Sequence, residues 1–228
     1  MRSTGTFQDR LRTFGSCSKR YRALRAVGVN SKQMVRAAGI PAVMYGCEIF
    51  GLSDSALNTT RTKFASASAP AAGGKNPELV PMSIDGPGGT LDPAFDAHGM
   101  PFKHWAQACW EQWFSDTELA DAFAEASLKL GRCISWWAST TGPTTTVLAS
   151  ARRLGWNMPS AFEAIDDQGT SWSFKHDSPM AILTACKESV RRWRLNRVGA
   201  LLPSLIPSAC DVGAPDCTDT LLVEFSFV

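Results

Sequence analysis

Of the residue types that bind metals or break bonds, the 228-residue chain holds seven cysteines and three histidines, and their spacing suits neither task well. Structural zinc sites draw on closely spaced ligand pairs. The nearest cysteines here, Cys210 and Cys217, have six residues between them. His98, His104 and Cys109 lie near one another in sequence without completing four tetrahedral ligands, so no metal site is expected. Asp166 and Asp167 are adjacent, but Asp-Asp-Gln-Gly is a turn sequence. Two-metal catalysis needs carboxylates that converge on the ions. GPGGT at 86–90 lacks the lysine and the strand of a phosphate loop, and no G-x-S-x-G element is present. A Ser-His-Asp or Cys-His site would have to recruit His98, His104 or His176, and nothing near them supports it. No catalytic residue is assigned.

The remaining chemistry is charge. A net charge of +2 conceals segregation along the chain. Residues 1–69 carry eleven Lys/Arg against three acids, net +8; residues 70–130 carry three against nine, net −6; residues 181–200 carry five against one, net +4. Basic blocks are either solvated helix faces or the means by which a protein meets phosphates.

Helices must position these blocks. Phe7, Leu11, Phe14, Tyr21 and Leu24 recur at helical spacing, predicting a helix from 7 to about 27 with its basic residues mostly on the other sides. Gly28 and Asn30 read as a stop, Ser31 as the cap of a short helix ending at Gly39, and Pro41 as the first turn of an apolar helix, PAVMYGCEIFG. Ser53 and Asp54 then cap a helix reaching about 68. Five prolines and five glycines between 70 and 93 argue against regular structure through most of that stretch and mark a lobe boundary. Beyond it, helices are predicted over about 93–113 and 116–137, then from TGPTTT to Gly155. FEAIDDQGTSWSF reads as a hairpin, and Ser178-Pro179 opens a last helix. Its core face is Ile182, Leu183, Cys186, Val190, Trp193 and Val198, with base stacking the other reading of Trp193. The expected fold is mainly α: a thumb-like lobe (1–69), a connection (70–92), a second helical lobe with a small β-hairpin near 162–174 (93–202), and an irregular C-terminal segment (203–228).

At 44% hydrophobic and 19% charged, the composition is that of a globular protein able to bury a core without disulfides. No apolar run approaches the roughly 20 residues of a membrane span, so no membrane partner is expected. The odd, irregular cysteine set suits a reducing, intracellular compartment, nucleus or cytoplasm.

The run MVRAAGIPAVMYGCEIFGLSDSALNTTR, with Pro41, Tyr45, Gly46 and Glu48 as a P-x-x-x-Y-G-x-E-like element, resembles the segment after the palm of reverse transcriptases from retrotransposons lacking long terminal repeats. GGKNPELV, LDPAFDAH, HWAQACWEQW, TGPTTTVLASARRLGW, PSAFEAIDDQG and SPMAILTACKESVRRWRLNRV look like its continuation, so the resemblance spans nearly the whole chain. The family's palm aspartate and Tyr-x-Asp-Asp turn are missing. The resemblance therefore implies a post-palm thumb and connection region without catalytic residues, part of an RNA-directed DNA polymerase whose Mg2+ belongs to the parent enzyme and not to this fragment. The closing LLVEFSFV reads as a frame cut short. A thumb holds template–primer by its phosphates. That role implies contacts to RNA or RNA:DNA duplex by Arg20, Arg22, Arg25 and Arg36 of the first block and Arg191, Arg192, Arg194 and Arg197 of the second. It also makes the upstream palm a protein partner. The alternatives are a helical protein-interaction module with no nucleic-acid role, and an enzyme with an unrecognised site.

Overall fold

A computed structural model describes residues 5–69, 76–85 and 89–201. It is mainly helical with one small antiparallel sheet, as expected from the periodicity. Its contacts group into two units that interleave along the sequence, Met1–Gln8, Met44–Leu57 and Ala94–Arg192 in one, Asp9–Val43, Asn58–Pro93 and Trp193–Val228 in the other. This differs from a linear division at 70–92.

The second unit is built around α1 (Gly5–Ala26), which contributes its residues from Asp9 onward. Leu11 and Phe14 are buried, and the Phe14 ring meets that of Phe64 edge-on at 4.9 Å. Asn30, not Ser31, caps α2 (Ser31–Met34): its side-chain oxygen accepts from the Gln33 amide at 3.1 Å, while Ser31 is buried inside the first turn. The helix does not end at Gly39. It widens into a π turn (Val35–Gly39) and continues as α3 (Ile40–Met44). At Gly39 a methyl group would stand 2.6 Å from Phe14 Cε2, so the close approach of the two helices requires the missing side chain. α5 (Asp54–Ser68) is capped by Ser53 as expected, its hydroxyl accepting from the Ala56 amide at 3.3 Å. A short helix, α6 (Leu79–Asp85), falls within the stretch expected to be irregular. It forms because Val80 and Ile84 share one face and pack on Ala65 of α5 and Ala69 just after it. The rest of the Pro/Gly-rich stretch at 70–75 and 86–88, and the C-terminal segment from 202 onward, lie outside the described residues.

The apolar run expected as one helix is broken where the chain enters the first unit. α3 ends before Gly46, whose φ of +83° admits no side chain cheaply, and α4 (Cys47–Phe50) starts afresh. α7 (Ala94–Trp110) packs against α4 and α10 (Pro143–Leu154), and α10 also meets α8 (Asp116–Gly131). Ser115 and Glu118 close a capping box on α8. That helix stops at Gly131 and not near 137; Trp136–Ser139 forms a separate turn, α9. The expected hairpin is β2 (Glu163–Ile165) with β3 (Ser171–Ser173), Ala164 standing opposite Trp172. β1 (Asn157–Ser160) adds an unanticipated edge strand on β2. The last helix, α11 (Pro179–Leu201), supplies Ile182, Leu183, Cys186 and Val190 to this unit's core. No helix among the described residues is long and apolar enough to cross a membrane.

Candidate nucleic-acid interface

The two basic blocks have different fates. In the first, α1 turns Leu11 and Phe14 inward, which leaves Arg12, Lys19, Arg20 and Arg22 exposed on its remaining sides. Lys19 and Arg20 have no ion-pair partner among the described residues. Arg22 reaches only the Ser18 hydroxyl of its own helix, at 3.5 Å. Arg12 pairs at the surface with Asp9, three residues earlier, at 2.8 Å. Arg25 is half-buried and donates to the Ala67 carbonyl at 3.4 Å, and Arg36 is exposed but paired with Asp85. Asp85 in turn accepts the Leu91 amide at 2.6 Å, so Arg36 braces a chain connection.

In the second block every arginine faces an acid. Arg191 pairs with Glu188 within its helix. Arg192 grips Asp167 through two bonds of 2.6 Å, fork to carboxylate. Arg194 is buried, with its Nε 2.8 Å from Asp92 Oδ2, and Arg197 Nη2 lies 2.9 Å from Glu78 Oε1. An outward row of phosphate contacts is therefore not what these four side chains form. The physical reason is spacing. Cys186, Val190, Arg194 and Val198 follow one another at steps of four, so Arg194 falls on the helix's buried stripe and must take a counter-ion with it.

That counter-ion belongs to a cluster in the second unit centred on Arg61. This side chain is almost fully buried, with Nε 3.0 Å from each oxygen of Asp92 and Nη1 2.7 Å from Glu78 Oε1. Arg61, Arg194 and Arg197 thus share Asp92 and Glu78. Trp193 is half-buried, with the guanidinium carbons of Arg61 and Arg197 at 5.6 Å and 5.1 Å from its ring centre. Its ring serves as packing for cations. Arg61 was not among the residues singled out from sequence. Its signal was its place between Leu57 and Ala65 on the apolar stripe of α5, at steps of four.

The other chemistry-bearing residues are built into the first unit. Asp166 organises the hairpin turn, accepting the amides of Gln168 at 2.9 Å and Thr170 at 2.8 Å and the Trp172 indole at 3.1 Å. Burial opposes its ionisation, but these donors outweigh it and hold the carboxyl below its ordinary range. Asp167 is held down to about 2, chiefly by the hydrogen bond from Arg192, against a burial cost and with help from the Ser189 hydroxyl. His98 is fully buried, its Nδ1 3.3 Å from Ser150 Oγ and its Nε2 3.4 Å from Arg153 Nη1. A guanidinium only donates, so Nε2 must offer its lone pair and Nδ1 carries the proton toward Ser150. The Arg153 guanidinium lies 3.8 Å from the centre of the Trp137 ring and also donates to the Leu52 carbonyl at 3.1 Å. These contacts tie α7, α9 and α10 to the segment after α4. Cys47, Cys109 and Cys186 are buried thiols, and burial raises all three, Cys109 to about 12. Among the described residues no three His, Cys, Asp or Glu side chains gather as a metal-binding group.

Comparison of the chain with protein-family models, with curated proteins and with solved structures returns no match.

Proposed function

We propose that this chain is the post-palm region of a reverse transcriptase from a retrotransposon lacking long terminal repeats, and that it grips the phosphate backbone of RNA or an RNA:DNA duplex without catalytic residues of its own. The observation that carries the reading is the outward face of α1, where Lys19, Arg20 and Arg22 stand exposed while the second block is paired internally. A single basic helix face contacts phosphates without reading bases, which is what a template–primer clamp requires. Arg36 and the arginines from 191 to 197 have structural duties here, and the nucleic-acid role rests on α1. Mg2+ enters this reading only through the parent polymerase.

The test is the salt dependence of binding to an RNA:DNA hybrid. Each phosphate neutralised contributes about 0.9 to the slope of log affinity against log salt. Replacing Lys19, Arg20 and Arg22 together by Glu is expected to reduce that slope by about three and to leave helical content unchanged. An unchanged slope, or binding insensitive to salt, overturns the reading.

A further inference from the structure

At the corner between α7 and α8, in the first unit, three large aromatic side chains stand in solvent: Trp110 is 45% exposed, Trp113 49% and Phe114 55%. Rings of this size are ordinarily drawn into a core. Here the backbone keeps them out. The Trp113 amide turns back to the Ala108 carbonyl at 3.1 Å, the six-to-one bond of a helix stop, with Gln112 left-handed at φ +53° where glycine is usual. Along the chain around the rings acids predominate. Between 104 and 128 there are five acids, Glu111, Asp116, Glu118, Asp121 and Glu125, and no lysine or arginine. Asp116 is occupied by Lys175 at 2.6 Å, but the other four have no ion-pair partner among the described residues. Glu111 accepts from the Trp113 indole at 2.8 Å and from Gln107 at 2.8 Å. Glu118 accepts from the Ser115 amide at 2.9 Å, so both carboxylates are fixed beside the aromatic residues. Their donors hold both below the usual carboxylate range. Asp121 and Glu125 continue the strip along α8, one and two turns on.

We propose that this aromatic corner docks a lysine- or arginine-rich polypeptide segment carrying apolar anchor residues. Charge complementarity selects that occupant. Carboxylates around the rings attract cationic side chains and repel a nucleic-acid strand that would otherwise stack its bases there. Exposed tryptophan supplies the anchoring surface and also receives cations on its face. The proposal does not depend on the role of α1.

The experiment uses the full chain and fluorescence anisotropy with three labelled peptides: a lysine-rich amphipathic peptide, the same peptide with Glu for each Lys, and oligolysine lacking apolar residues. The first is expected to bind, the other two at least about tenfold more weakly, a margin that one anchoring contact supplies. Trp113→Ala with Phe114→Ala should weaken the first peptide by about tenfold or more. Because both rings are already half in solvent, the circular dichroism spectrum should not change. Asp121→Lys with Glu125→Lys, which leaves the rings untouched, should weaken it as well. Equal binding of the acidic peptide or of oligolysine overturns the proposal, as does binding unaffected by both double variants. Competition by single-stranded oligonucleotide that is lost in the aromatic variant, or a dimer in sedimentation that dissolves in it, would assign the corner to nucleic acid or to a second copy instead.

Discussion

Asp167 stands beside a guanidinium that keeps its proton off down to about pH 2, whereas an unfolded aspartate titrates near 3.9. A carboxyl depressed in the folded state stabilises it above the unfolded pKa, and that contribution disappears as pH falls from about 4 toward 2. In Arg192→Met the acid limb of the stability–pH curve should therefore flatten across that window. The Asp167 carboxyl resonance should titrate closer to the ordinary range. Arg61 poses the larger cost. It lies between Asp92 and Glu78 with almost no access to water, and removing one partner from such a site leaves an uncompensated buried charge. Arg61→Met is expected to lower unfolding free energy by about 3–5 kcal/mol, read from urea denaturation. Arg61→Lys should rescue little, because one ammonium cannot reproduce a fork directed at two carboxylates. The chemistry here was only partly legible. Asp166 and Asp167 announced a turn, and a turn they make. Arg61 on the stripe of α5 drew no reading and Arg194 on that of α11 was expected on phosphate, because a charged residue at a core position is identified only when its counter-ion is also known. Asp92 and Glu78 are far from Arg61 and Arg194 in sequence.

Elements were easier to see than residues, because periodicity of three and four survives without knowledge of what packs on it. α1, α5, α7, α10 and α11 all begin and end close to where their apolar spacing and caps place them. Breaks were harder. The π turn at Val35–Gly39 ends on a residue that Phe14 approaches too closely for a side chain, a contact that no local pattern encodes. Gly39→Ala should cost about 1–3 kcal/mol, since the Phe14 ring is buried and has little room to retreat. β1 went unread because Asn-Met-Pro-Ser has neither alternation nor branched residues, and proline is tolerated only because the strand lies at an edge. At the end of α7 the converse change is favourable: Gln112→Gly should raise stability by roughly 1 kcal/mol, visible as a higher Tm.

At the scale of the molecule, the two basic blocks should separate experimentally. Charge reversal at Lys19, Arg20 and Arg22 should leave the unfolding transition near its original midpoint, whereas reversal at Arg194 alone should unfold the chain, since Glu at a buried position would face Asp92. Far-ultraviolet circular dichroism during thermal unfolding distinguishes the two. The overall class, helical with a little sheet, followed from composition and spacing. The grouping of segments did not, because interleaving is decided by long-range contacts.

The Arg61 cluster also sets an order on biosynthesis. Glu78 and Asp92 leave the ribosome after a single arginine of the set, Arg61, and the two that complete it follow about a hundred residues later, on α11. Until Trp193 and the residues after it emerge, Glu78 and Asp92 lack two of the arginines that accompany them in the fold, so a nascent chain halted before that point should be a substrate for chaperones and proteases.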